Sequence, residues 1–148
     1  MTLEAFLASA HLVAILALVT FMSSQAALCR IEWMSAAVVE RLVRLDVIYQ
    51  ITAAALLASG LVRIFWGIKG ASWYLMQPML HLKITLFVVM LLLSIAPTLA
   101  FRRWRRAVRA SGALPVATEV RQARRLIMVQ SHLLPVVAVI AVFWARGW

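Results

Sequence analysis

The stretch Met76–Phe101, MQPMLHLKITLFVVMLLLSIAPTLAF, joins a long apolar run to two ionisable residues near its start. A helix needs about 20 predominantly apolar residues to cross the hydrocarbon core of a bilayer, and this run supplies them. Lys83 begins such a span poorly unless its side chain reaches the interface or a buried partner. His81 is a natural ligand of a metal or a haem. The stretch therefore predicts a membrane span that begins with two side chains, His81 and Lys83, able to bind a ligand.

The composition of the whole chain extends this interpretation. Its 148 residues are 65% hydrophobic and 14% charged, whereas soluble domains are near one half and one quarter. A β-barrel would show short alternating strands instead of continuous apolar runs. The sequence predicts an all-α polytopic membrane protein, a four-transmembrane-helix bundle formed by one domain of residues 1–148, with spans at about 3–28, 45–67, 79–101 and 124–145.

Several residues mark the ends of the predicted helices. Ser35 is placed to cap the helix that contains span two, and Pro78 suits the first turn of span three. Pro115 is placed to open a helix that runs directly into span four. Glu40 and Arg44 stand four residues apart, the spacing of a helical ion pair.

Lysine and arginine are distributed unequally between the predicted loops. One side carries eleven and the other three, the latter being Arg63, Lys69 and Arg146. Because positive charge is retained in the cytoplasm, the sequence predicts an N-out, C-out orientation. The basic residues then set the topology and bind anionic lipid at the cytoplasmic face. No nucleic-acid partner is predicted, because nothing resembles a binding module.

Ionisable residues inside a span usually face the bundle interior. At 1.5 Å per residue, His11 lies roughly 12 Å below the outer surface, His81 roughly 5 Å and His132 roughly 21 Å. His11 and His81 are therefore the best-matched pair for a ligand held between helices. The competing interpretations are an interfacial cap for His81 and Lys83, a hydrogen bond between helices for His11, and a structural hydrogen bond for His132.

Asp46 stands near the inner end of span two, with Gln50 one turn further on. For this aspartate, a helix-start or arginine-paired role is favoured over a proton relay. Gln25 and Gln130 are its neutral companions inside spans one and four. The single Cys29 excludes an intrachain disulfide and a cysteine-based zinc site.

The segment Tyr74–Trp104, YLMQPMLHLKITLFVVMLLLSIAPTLAFRRW, resembles a bacterial family of four-span membrane proteins of unknown function. The likeness covers nearly the whole chain, including HLLP in span four. Together with the orientation, it implies a multi-pass protein of the bacterial inner membrane with both termini periplasmic. More distantly, the layout resembles HemJ-type protoporphyrinogen oxidases and the membrane part of copper-resistance D proteins. HemJ proteins have a histidine early in span one and a His-Ala-Lys motif that opens span three, which correspond here to His11 and to His81–Lys83.

The HemJ resemblance implies haem b binding and oxidation of protoporphyrinogen, with a porphyrin or quinone as ligand. The chain departs from the HemJ pattern at three places. Leu18 stands where HemJ proteins have a tryptophan, and Ala27 where they have an arginine. Ser131 and His132 replace the usual Asn-Glu pair before the proline of span four.

The leading hypothesis is a haem b-binding membrane redox protein, an oxidoreductase of HemJ-like type. His11 and His81 are its axial-ligand candidates, Lys83 is a propionate contact or alternative ligand, and His132 is a secondary polar contact. The alternative is a non-enzymatic membrane protein: a copper or small-ligand handling module, or a subunit of a larger assembly. Methionine thioethers beside a histidine would suit Cu(I), and the candidates are Met22, Met76 and Met79. A homo-oligomer is compatible with either hypothesis.

Overall fold

The computed structural model describes residues 2–66 and 71–145. Within those ranges the chain contains helices and turns and no strand. The elements are α1 (Thr2–Leu28), a 3-10 turn (Ile31–Trp33), α2 (Ala36–Phe65), the short α3 (Ala71–Leu75), α4 (Pro78–Ser111) and α5 (Ala117–Ala145). α1, α2, α4 and α5 are each long and apolar enough to cross a membrane. The predicted all-α fold with four spanning helices is thus confirmed.

The helix ends agree in part with the predicted signals. The Ser35 hydroxyl accepts a hydrogen bond from the Val38 backbone N–H at 3.3 Å, and Pro78 is the first residue of α4. α5 begins at Ala117, two residues after Pro115. The predicted end of span two, Gly67, lies outside the described residues, as do Lys69 and Arg146.

α2 and α4 are longer than the spans they contain. α4 continues through Pro97 to Ser111 and ends at Gly112, whose φ of 72° is the left-handed conformation that glycine adopts without steric cost. Both helices therefore project beyond the apolar run at the end of the bundle where α4 turns into α5. This end, which includes the 3-10 turn and residues 112–116, is called the arginine-rich end; the other is called the opposite end.

The four long helices form a ring. α1 packs against α2 and α5, and α4 packs against α2 and α5, so that α1 and α4 lie on a diagonal. α2 supplies the most extensive set of buried side chains, from Val39 to Ile64. It is therefore the helix against which the polar groups of the other helices are positioned.

Packing is uneven along the bundle. The largest fully buried side chains lie mainly in the half nearer the arginine-rich end: Leu18, Met22, Leu42, Tyr49, Phe101 and Ile127. Among the described side chains, α1 has no buried residue before Ala14 and α5 none after Gln130. The half nearer the opposite end therefore has apolar side chains that face outward and a smaller core.

Two ion pairs join helices at the arginine-rich end. The predicted Glu40–Arg44 pair is wrong: the Arg109 guanidinium of α4 donates to Glu40 Oε1 at 2.7 Å. Glu119 at the start of α5 accepts from Arg103 at 2.7 Å and from the Trp104 indole N–H at 2.7 Å. The two carboxylates thus tie α2 to α4 and α4 to α5, and contacts between helices prevail over pairing within one helix.

Cys29, just after α1, has a fully buried thiol whose Sγ lies 3.8 Å from the Val120 carbonyl oxygen of α5. Burial raises its pKa from 9.0 to about 11, although the nearby charge of Arg124 opposes the shift. The thiolate fraction at about pH 8 is then about 100-fold lower than for a thiol with the ordinary pKa.

We expect iodoacetamide to alkylate Cys29 at least about 100-fold more slowly in the folded protein than in detergent-unfolded chain, because only the thiolate reacts. The rate should rise as pH increases toward 11. Mass spectrometry gives the rate directly, since the chain has one cysteine. Equal rates in the two states would show that the thiol is accessible and ordinary.

Candidate functional site

His11 lies on α1 and faces α2. Its Nδ1 is 2.8 Å from the Ser59 hydroxyl oxygen, and the imidazole is half-buried. Gly60 lies beside the imidazole, since a Cβ at this position would be in van der Waals contact with His11 Cε1 at 3.5 Å. Ser59 therefore fixes the orientation of the ring through Nδ1, as the supporting partners of ligand histidines do.

Two basic side chains accompany His11. Arg63 follows Ser59 by one helical turn, about 6 Å further toward the opposite end. Lys83 of α4 is half-buried, and the charges of both Arg63 and Lys83 act on His11. Arg63 and Lys83 also repel each other electrostatically. The structure thus brings His11 and Lys83, two of the predicted site residues, into one group with Arg63, which sequence reasoning had counted only as a loop charge.

His81 occupies a different position. Its ring is exposed, and its Nε2 lies 2.7 Å from the Leu75 carbonyl oxygen at the end of α3. This hydrogen bond links the first turn of α4 to the preceding short helix. The hydrogen bonds of His81 and His11 go to different partners, and the structure gives no contact between the two rings.

His132 is also exposed. Its Nδ1 lies 2.6 Å from the Met128 carbonyl oxygen one turn earlier on α5. The structural hydrogen bond predicted for His132 is therefore present, and it lies within α5.

The three methionines of the copper hypothesis do not share one place. Met22 is buried in the core, about 16 Å along α1 from His11, whereas Met76 is 83% exposed before α4. Across residues 2–66 and 71–145, no three His, Cys, Asp or Glu side chains come together as a metal site. Met22 is therefore too far from His11 to share a copper ion with it.

A second group of polar side chains lies in the half nearer the arginine-rich end. Asp46 of α2 is 3% exposed and accepts a hydrogen bond from the Thr98 hydroxyl of α4 at 2.8 Å. The Gln25 amide of α1 donates to the same carboxylate oxygen at 3.4 Å. Gln50 donates to Thr98 at 3.0 Å and to Ser94 at 3.4 Å. The helix-start interpretation of Asp46 is wrong, because α2 begins ten residues earlier, at Ala36.

The fourth helix contributes a separate buried hydrogen bond, through a tyrosine of α2. The buried Tyr49 hydroxyl donates to Gln130 Oε1 of α5 at 3.0 Å. The polar side chains of this part of the bundle therefore come from all four spanning helices, in two separate hydrogen-bonded sets: Gln25, Asp46, Gln50, Ser94 and Thr98 form one, and Tyr49 and Gln130 form the other. The sequence identifies most of these residues as single polar positions within spans. Their similar depth in the bilayer is the signal that could have placed them in one region.

The helices and their buried polar groups define an integral membrane protein of the four-helix class. The chain belongs to the family described as "Predicted membrane protein (DUF2214)", whose model matches residues 3–148. No curated protein and no solved structure matches it. The family match confirms the predicted resemblance to a membrane family of unknown function, while the likeness to HemJ and copper-resistance D proteins stays a prediction.

Proposed function

We propose that the protein binds haem b at His11 and acts in membrane redox chemistry, with Arg63 and Lys83 as contacts for the haem propionates. The observation that carries this proposal is the hydrogen bond between His11 Nδ1 and Ser59 Oγ, which directs Nε2 away from that partner. A ligand histidine commonly has its second ring nitrogen fixed in this way.

The surroundings of His11 suit a large apolar cofactor with anionic groups. The half nearer the opposite end has few buried side chains and many outward-facing apolar ones, such as Leu12 and Val13. Arg63, one turn beyond Ser59, is placed toward the membrane surface, where propionates would extend. Haem iron transfers single electrons at a potential that depends on its axial ligands. The residues present therefore fit haem b: His11 offers one ligand nitrogen for the iron, and Arg63 and Lys83 offer two cations for the propionates.

His81 as a second axial ligand remains part of the proposal. To serve in that role, its ring would have to exchange the Leu75 carbonyl for iron. The protoporphyrinogen oxidase-like activity, a porphyrin or quinone ligand and a homo-oligomer likewise remain predictions that depend on haem binding being found first.

Visible spectra of the purified protein test the proposal. In mild detergent with haem supplied, we expect a Soret band in the oxidised protein and sharp α and β bands after reduction with dithionite. His11→Ala should abolish them, whereas Ser59→Ala should retain the bands and weaken haem affinity by about 10-fold or more, because it releases the ring.

His132→Ala is the matched control, since this exposed histidine bonds only to its own helix in the described contacts. Loss of the bands in His81→Ala as well would identify a bis-histidine site. Their survival would show that His81 is not a ligand and makes only its hydrogen bond to the Leu75 carbonyl. Absence of bands after haem supplementation, or full retention in His11→Ala, would overturn the proposal.

We further infer that the arginine-rich end faces the cytoplasm of a bacterium, which places both termini in the periplasm. The support is the excess of arginine in the loops at that end. Alkaline phosphatase fused to the C-terminus should be active and a fluorescent protein fused there should be dark. Bright fluorescence without phosphatase activity would show the reverse orientation.

The arginine-rich end also offers a contact for lipid. A groove of about 490 Å³ between α1 and α2 is lined by Ser24, Ala27, Leu28, Arg41, Arg44 and Leu45. Two guanidinium groups beside small and apolar side chains suit an anionic lipid headgroup and the beginning of its acyl chain. This groove supports the predicted anchoring to anionic lipid at the cytoplasmic face.

A further inference from the structure

Asp46 is a carboxyl group held inside the spanning part of α2. It is 3% exposed, and no ion pair within residues 2–66 and 71–145 includes it. The predicted arginine pairing is therefore replaced by hydrogen bonds from neutral donors. A buried carboxylate without a paired cation is costly in an apolar medium and is relieved when the group takes up a proton.

The groups that face Asp46 from the other helices are neutral, apart from one arginine. α1 supplies the Gln25 amide, and α4 supplies the Thr98 hydroxyl together with the more distant charge of Arg102. α5 reaches this region through Gln130, which bonds to Tyr49 on the same helix as Asp46. Asp46 thus receives hydrogen bonds from neutral donors, and no ion pair holds it in the ionised form.

A polar face of α4 connects this carboxyl with the membrane surface. Ser94, Thr98 and Arg102 follow one another at intervals of four residues, so they lie on one side of the helix and span about 12 Å. Ser94 and Thr98 are buried, and Arg102 is exposed at the arginine-rich end. Gln50 bridges the two hydroxyls from α2.

We propose that Asp46 is a reversible proton-binding site, which exchanges protons with the aqueous phase at the arginine-rich end along the Thr98 and Arg102 face of α4. In the step itself, the carboxylate takes a proton from hydronium and releases water. Hydrogen bonds from Thr98 and Gln25 stabilise the carboxylate. Protonation has the opposite advantage, because it removes the cost of burying a negative charge. The site is separate from His11 and does not rest on haem binding.

Infrared spectroscopy of the wild-type protein tests this directly, because Asp46 is the sole aspartate of the chain. Protein in lipid is produced with aspartate that carries ¹³C at its side-chain carboxyl, and its spectra are compared with those of unlabelled protein over a pH series. We expect a protonated-carboxyl band that shifts with the label and disappears as pH rises. Glu32→Gln, which removes an exposed carboxylate of the 3-10 turn, should leave the band unchanged.

Asp46→Asn should lose the band completely, with helical content retained in circular dichroism. Failure of that variant to fold would not affect the isotope shift, which needs no substitution. A helical protein with no label-sensitive, pH-dependent band would overturn the proposal. A band that responds at fixed pH to replacement of potassium by sodium would also overturn it and would identify Asp46 as a sodium ligand.

Discussion

Phe101→Ala is expected to lower the free energy of unfolding by about 3 to 4 kcal/mol, the usual cost of truncating a fully buried aromatic side chain. Phe101 has no exposed surface, and its ring centroid lies 5.4 Å from that of Trp104. The loss comes mainly from packing, because a core that neighbours lipid gains less from exclusion of water than a soluble core. The effect should be large because the half nearer the arginine-rich end is the better packed of the two.

Equilibrium unfolding in mixed detergent, followed by tryptophan fluorescence, measures the change. Phe143→Ala is the control: this α5 residue is 53% exposed, and its truncation should change stability by about 0.5 kcal/mol or less. Comparable losses at the two positions would contradict the uneven packing of the bundle.

Gln130→Leu is expected to cost about 2 kcal/mol. Leucine is similar to glutamine in size, so the main consequence is that the Tyr49 hydroxyl loses its acceptor in a site where water does not enter. Tyr49→Phe added to this variant should recover most of the loss, because removal of both partners leaves no unsatisfied polar group. The double variant should therefore be more stable than the single Gln130→Leu variant.

The same unfolding measurement checks this order of stabilities. Gln122→Leu, on an exposed position of the same helix, is the matched control and should have little effect. Additive losses in the double variant would mean that Tyr49 and Gln130 act independently and that their hydrogen bond contributes little.

The sequence was sufficient for the fold because its signals are local. Long apolar runs give the four spans, and Ser35 and Pro78 mark helix starts through their own backbone and side-chain chemistry. The Glu40–Arg44 prediction failed for a complementary reason. Spacing within a helix shows which partners are near in that helix, whereas Arg109, sixty-nine residues away, becomes near only after α2 and α4 pack.

The candidate sites show the same limit. His11 was identified from its depth, but Ser59 and Arg63 join it through the packing of α1 on α2, which no spacing in the sequence encodes. His81 stands two residues from Lys83, yet it is exposed while Lys83 is half-buried, because adjacent positions of a helix point in different directions. Asp46 follows the Ser35 cap by eleven residues, so the cap itself contradicts a helix start at Asp46.

The uneven packing also predicts how the protein responds to its membrane. A continuous core and the ion pairs of Glu40 and Glu119 hold the half nearer the arginine-rich end, so its helices should be stiff. The half nearer the opposite end has few such contacts, and its helices should move apart more easily. A change in bilayer thickness or lateral pressure will therefore alter the separation of helices around His11 before it alters Asp46. Lipid composition should consequently change the spacing of helices at the opposite end more than at the arginine-rich end.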